Sequence, residues 1–191
     1  MDVLYRIIII TIALIIFVIF DYPRSIIIPL IKQHKKTVYK EDKFSVFLVF
    51  LCDNISWIIS ANLFIFGIGN LPYILFYLGI IVMVFGFILR QWAISVLGIY
   101  FAPTVRIIKK HEIIGIGPYK YIRHPSYTGM LLFLIGFAFI SRSLISLLGI
   151  IFPIIGYWYR IKVEEKSLLL HLKKEYKGYM QKTFRLIPFL F

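Results

Sequence analysis

Residues 3–20 read VLYRIIIITIALIIFVIF. One charge, Arg6, lies within a turn of the start, where its long stem can carry the guanidinium to an interface. A helix that crosses about 30 Å of hydrocarbon needs about 20 mostly apolar residues, and this run is of that length. A cleaved signal peptide would carry a shorter apolar region, about 7–15 residues, closed by a small-residue site. Here the run is longer and meets Asp21-Tyr22-Pro23, which reads as an uncleaved membrane anchor.

The remainder of the chain has the same character. It has 191 residues, of which 60% are hydrophobic, 18% aromatic and 16% charged, with a mean hydropathy of +0.87. A soluble domain carries about 25% charged and about 45–50% apolar residues. This hydrophobicity excludes intrinsic disorder. A disulfide scaffold and a thiolate metal cluster are excluded because Cys52 is the single cysteine. The four histidines, 34, 111, 124 and 171, show no paired ligand spacing, so no metal is expected.

A second span is expected over residues 44–68, broken by the turn signal Gly67-Ile68-Gly69-Asn70-Leu71-Pro72. A third runs over 71–97, with Arg90 in its last turns. A mixed segment, 98–125, follows. Two further apolar runs, 127–140 and 144–159, are joined by Ser141-Arg142-Ser143. Fourteen residues are few for a full crossing, so this pair reads as a tight hairpin. From Arg160 onward the chain is charged and helical in pattern.

The expected fold is an all-α integral membrane protein of about five transmembrane helices. The last two form a hairpin, and a cytosolic C-terminal helix follows. Residues 1–97 hold the first three helices and 98–191 the catalytic half, all in one membrane domain. Charge orients the frame. Of the 22 Lys and Arg residues, 20 fall in three segments that five spans place on one side, and only Arg6 and Arg142 fall on the other. The positive-inside rule then puts the N-terminus outside and the C-terminus and site on the cytoplasmic side. The net charge of +13 is thereby explained beside anionic lipid, without nucleic acid as a partner.

Polar residues gather in two places on that cytoplasmic face. One is HEIIGIGPYKYIRHPSY, residues 111–127; the other is YWYRIKVEE, residues 157–165. In the first, Gly115, Gly117 and Pro118 make a tight turn. Pro125 pushes His124 off the helical region and suits a helix start, which places His124 at a helix N-terminus that favours anions. In the second, Arg160 and Glu164 stand at i and i+4 on one helix face. They read either as an interfacial ion pair or, at the end of a span, as groups facing a functional cavity. Asp53, inside the second span, reads either as a buried hydrogen-bonded acid facing another helix or as a substrate or proton contact. Tyr100 and Phe101 are expected at the pocket mouth or the interface.

The string Gly117-Pro118-Tyr119, Arg123-His124-Pro125-Ser126-Tyr127 and Gly129 resembles the GxY…RHPxYxG motif of the isoprenylcysteine carboxyl methyltransferases. Arg160, followed by Glu164-Glu165, resembles their second motif. The tail, with Glu175, Tyr176, Tyr179 and Arg185-Leu186-Ile187-Pro188, is also similar. The likeness covers residues 97–188; the first 90 match only in character. It implies S-adenosylmethionine bound between the last spans and the tail, with S-adenosylhomocysteine as product. By that likeness His111, Glu112, Ile113, Ile114, Tyr119, His124, Pro125, Ser126, Tyr127 and Glu164 fall on cofactor-binding positions. Arg160 falls on the arginine assigned to the substrate carboxylate. Arg106 falls near a further cofactor contact.

Chemistry separates the acceptors. A carboxylate is already ionised at neutral pH and needs only a cation to hold it, a role suited to the guanidinium fork of Arg160. An amine must first lose a proton, which calls for a base such as Glu164 or Glu165. The expected function is methyl transfer to a lipid-like acceptor, first the carboxylate of a prenylated cysteine on a small molecule or protein. A phospholipid or amine N-methyltransferase and an NADPH-dependent sterol or enone reductase stay open as alternatives. Such reductases carry an acidic residue soon after RHPxYxG, where this chain has Met130, Leu131 and Leu132. No obligate protein partner is implied.

Overall fold

The structure is a computed structural model; it describes residues 3–27, 37–41, 43–102, 104–108 and 113–187. Helix α1, Val3–Tyr22, runs into a π-helical turn, Pro23–Ile27. Helix α2 is Lys43–Ile65 and α3 is Ile74–Leu97, which ends in a 3-10 turn, Gly98–Tyr100. A second 3-10 turn, Gly117–Lys120, leads to α4, Pro125–Ile140. Helices α5, Leu144–Gly149, and α6, Ile151–Lys182, complete the chain.

Among the described residues four helical segments are long and apolar enough to cross a membrane: Val3–Asp21, Lys43–Ile65, Ile74–Tyr100 and Leu144–Lys182. Pro125–Ile140 is shorter; its 16 residues span about 24 Å. The segment Leu144–Lys182 has 39 residues, or about 58 Å, nearly twice the hydrocarbon thickness. Its first half is apolar and its second half is charged. The second hairpin arm and the C-terminal helix of the expectation are thus largely one helix. Lys173 (φ 42°, ψ −112°) interrupts it.

One departure from an all-helical chain is a two-stranded antiparallel ribbon. Strand β1, Thr37–Glu41, pairs with β2, Val105–Ile108, with Lys40 opposite Arg106. The sequence reading assigned a strand to neither stretch. Strands of four or five residues carry little periodicity of their own, and what defines them is a partner more than 60 residues away.

The seam between α3 and α4 sets the frame. Gly79 lies against Gly136, and Gly86 against Gly129, so the two backbones touch. In lipid, where apolar burial gives little drive between helices, such small residues are what allow close packing. Met130, Phe133, Leu134 and Ala138 of α4 bury beside Ile150, at the junction of α5 and α6, and Tyr157 of α6. Ile10, Ala61, Phe64, Phe137 and Ile140 form a second cluster toward the other end. Helix α2 packs on α6 through Cys52, which meets Gly156. Asp53 there accepts the Tyr157 hydroxyl proton at 2.7 Å, as expected of a buried acid facing another helix.

The two ends of the bundle differ in chemistry. At one end Arg6 donates to the Phe64 carbonyl (3.2 Å) and Arg142 to the Leu71 carbonyl (2.7 Å). Both donate to backbone oxygens near helix ends, and the Phe64 carbonyl also accepts from the Gly67 N–H at 3.2 Å. At the other end Asp21 of α1 takes two bonds from Arg90 of α3, at 2.6 and 3.1 Å, and one from Gln91 at 2.9 Å. Arg90 also reaches the Ser126 carbonyl at 3.4 Å, which ties α1 to the start of α4.

Candidate active site

The site grows from the Arg123-His124-Pro125 turn. His124 has φ −123° and ψ 55° and caps α4, with Pro125 at the first helical position. A residue before proline avoids the helical region, and proline lacks only an N–H that the helix start leaves unpaired. The His124 ring is buried and stacks on the Tyr127 ring, 5.5 Å between centroids and 7° apart. Its Nε2 is 3.3 Å from Glu165 Oε1 and its Nδ1 3.9 Å from Glu164 Oε2.

Glu164 and Glu165 are adjacent, so their side chains leave α6 about 100° apart. Glu164 faces the cleft and accepts the Tyr127 hydroxyl proton at 2.6 Å. Glu165 turns the other way, is buried, and accepts from Arg123 Nε (3.1 Å) and Arg185 Nη2 (2.9 Å). That ion pair locks the tail onto the turn. The N–H groups of Arg123 and His124 donate to the carbonyls of Phe184 and Arg185, and Thr128 donates to the Leu186 carbonyl at 2.7 Å. Arg123 Nη1 also reaches the Met180 carbonyl at 3.0 Å and the Thr183 carbonyl.

Arg160 is buried on α6. Its Nε donates to the Tyr127 hydroxyl at 3.2 Å and its Nη1 to the Ser45 hydroxyl at 2.6 Å. The i, i+4 relation with Glu164 therefore works through a third residue. The Tyr127 oxygen accepts from Arg160 while its O–H donates to Glu164. A cation, a phenol and a carboxylate thus lie in series on one wall.

The cleft in front of this wall is closed by Leu97, Tyr100 and Phe101 above and by Leu168, Leu172, Tyr176 and Tyr179 on α6. Ile113, Ile114, Tyr119, His124, Ser126, Tyr127, Arg160 and Glu164, all named from the sequence, line it. Pro125 is fully buried and shapes the turn. Tyr100 and Phe101 sit in the lining, as expected. His111 and Glu112 lie outside the described residues. Arg106 is described only by its place in β2. Tyr179 donates to the Tyr119 carbonyl at 2.7 Å. Burial, and next the charge of Glu164, push the Tyr119 phenol well above its usual pKa, so it stays neutral.

Sequence reasoning gave no site role to Ser45, Arg123 or Arg185, and named Glu165 only as a base for an amine acceptor. Arg123 and Arg185 stood inside the quoted motifs, and a helical projection would have turned Glu165 away from Glu164. Ser45 gave no signal, because one serine in an apolar span is ordinary.

Residues 78–170 match the model of the isoprenylcysteine carboxyl methyltransferase (ICMT) family. Over that stretch the chain is similar to the ICMT family. The family resemblance drawn from the RHPSY and Arg160/Glu164 motifs is borne out. The chain is 33% identical over 117 residues to a protein-S-isoprenylcysteine O-methyltransferase of Dictyostelium discoideum, covering 60% of this chain and 49% of that protein. It is 33% identical over 116 residues to the enzyme of the same name from Saccharomyces cerevisiae, covering 59% and 48%. The chain thus spans about half the length of these relatives. The fold is similar to that of a eukaryotic intramembrane Ras methyltransferase ICMT, with a TM-score of 0.63, 23% identity, and coverage of 90% of this chain and 63% of that one. Apolar helices and this ICMT-type fold make the chain an integral membrane protein.

Proposed function

We propose that this chain is a membrane-embedded, S-adenosylmethionine-dependent methyltransferase that esterifies the carboxylate of a prenylated cysteine. The observation that carries the reading is the Arg160–Tyr127–Glu164 series on the wall of one cleft, at the foot of an apolar bundle.

The donor set fits the cofactor. Glu164 offers a carboxylate to a cationic amino acid portion or to ribose hydroxyls. Tyr119, Tyr127 and Tyr179 offer aromatic faces, which attract cations. His124, Ser126, Ile113 and Ile114 complete the cofactor wall. When bound, S-adenosylmethionine supplies an electrophilic methyl group on a sulfonium that departs as a neutral thioether. Arg160 holds the acceptor carboxylate as a charge-assisted pair. Leu97, Phe101, Leu168 and Leu172 exclude water from the line of displacement. Positioning of this kind supplies several kcal/mol of a barrier.

An amine acceptor would need a free base. Glu164 is held by Tyr127, and Glu165 by two arginines and His124. Those commitments favour the carboxylate. The cleft lies at the end of the bundle opposite Arg6 and Arg142, and the cation bias assigns that end to the cytoplasm.

The test is calorimetric titration of the detergent-purified chain with S-adenosylhomocysteine, with NADPH as control. Saturable binding of the homocysteine compound, lost in His124→Ala and Glu164→Ala, is expected, together with methyl ester formation on a prenylcysteine. Binding of NADPH alone would overturn the reading.

A further inference from the structure

Helix α2 lies outside residues 78–170, the stretch that the family model matches. It nonetheless reaches the site. Ser45, one turn into α2 and fully buried, accepts a hydrogen bond from Arg160 Nη1 at 2.6 Å. On the other side of the same guanidinium, Nε is bonded to Tyr127 at 3.2 Å. The guanidinium is a planar fork. Anchored at two of its nitrogens from two different helices, it cannot turn about its long stem.

Resting on the carboxylate-acceptor reading above, we infer that Ser45 is a positioning residue for substrate recognition: its hydroxyl fixes the plane in which Arg160 meets the acceptor carboxylate. An arginine side chain carries considerable rotamer freedom, and a supporting hydrogen bond removes that freedom before the substrate arrives. Ser45 does not line the cleft, and its bond to Arg160 connects it to the acceptor side of the site. The cofactor wall, His124 and Tyr119, is built from other elements. Helix α2 therefore contributes to acceptor affinity and not to cofactor affinity.

A merely structural role predicts something else. If the Ser45 hydroxyl only satisfied a buried cation and steadied α2 on α6, its loss would loosen the whole cleft, and cofactor and acceptor binding would weaken together.

The test uses the full chain in detergent, radiolabelled S-adenosylmethionine and an N-acetyl-S-prenylcysteine acceptor. Wild type is compared with Ser45→Ala, Ser45→Thr and Ser45→Cys. For Ser45→Ala a rise in acceptor KM of about tenfold is expected, from one lost hydrogen bond to a charged group. The kcat and the S-adenosylhomocysteine affinity should hold. Thr, which keeps a hydroxyl, should restore KM. Cys, close in shape but a weak acceptor, should raise it, and it carries the test if the Ala variant does not fold. An unchanged KM in Ser45→Ala or Ser45→Cys, or a parallel fall in S-adenosylhomocysteine affinity, would overturn the role of Ser45 alone. Wild-type protein that binds S-adenosylhomocysteine but leaves the prenylcysteine carboxylate unmethylated would overturn the acceptor assignment, and this role with it.

Discussion

Replacing Gly86 by alanine puts a methyl group where α4 already lies. A Cβ at that position falls 2.5 Å from the Phe133 nitrogen, 2.6 Å from the Gly129 oxygen and 2.9 Å from the Leu132 carbonyl carbon. All three are backbone atoms, so no side chain can swing clear. Real Cβ contacts essentially never fall under 3.0 Å, so the helices must part by about half an ångström or more. Overpacking of this kind costs about 1–3 kcal/mol. The better helix propensity of alanine returns about 1 kcal/mol. Parting α3 from α4 also weakens the Gly79–Gly136 contact two turns along the seam, and with it the dispersion gained there. The expected net loss is about 1–2 kcal/mol, or about 2–8 °C in Tm for a chain of this size. Gly178 is the control: a Cβ there meets nothing within 4 Å, and Gly178→Ala should stabilise by about 0.5–1 kcal/mol. The assay is a heating series in detergent, with the surviving monodisperse peak measured by size-exclusion chromatography at one fixed heating rate. If Gly86→Ala survives as well as wild type while Gly178→Ala behaves as expected, the two backbones are not in contact and the seam is wrong.

Three further outcomes follow from the site. Tyr127→Phe removes the oxygen shared by Arg160 and Glu164; kcat/KM should fall about tenfold to a hundredfold, and a variant as fast as wild type would dissolve the proposed series. Glu165→Gln keeps the shape but removes the charge that holds Arg123 and Arg185, so trypsin should cut at Arg185 sooner in timed digests; equal cutting rates would show that the tail is held by its backbone bonds alone. Asp21→Ala leaves the Arg90 guanidinium without its carboxylate partner, which should cost about 3–5 kcal/mol in the same heating assay and free α1 from the bundle; an unchanged profile would deny Asp21 that anchoring role.

What could be read along the chain obeys short-range physics. Residues 3–20 announced a membrane helix because hydrocarbon tolerates only such a run. His124 announced a helix start because the proline after it disfavours helical backbone at His124 and suits the first helical position. Arg160 and Glu164 announced a shared face because a helix repeats every 3.6 residues. The same arithmetic, carried one residue further, separates Glu164 from Glu165. None of these inferences needed a partner distant in the chain.

The remaining features depend on such partners. The Asp21–Arg90 pair joins residues 69 apart, and the Arg160–Ser45 bond joins residues 115 apart. The ribbon pairs two stretches that neither composition nor period marks as strands. Each contact exists because particular helix faces meet, and the faces that meet are set by where glycine and other small residues let backbones touch. Local rules gave the membrane spans and the His124 turn. Packing chose which carboxylate faces the cleft, which hydroxyl links it to the cation, and which serine from the other half of the chain holds that cation in place.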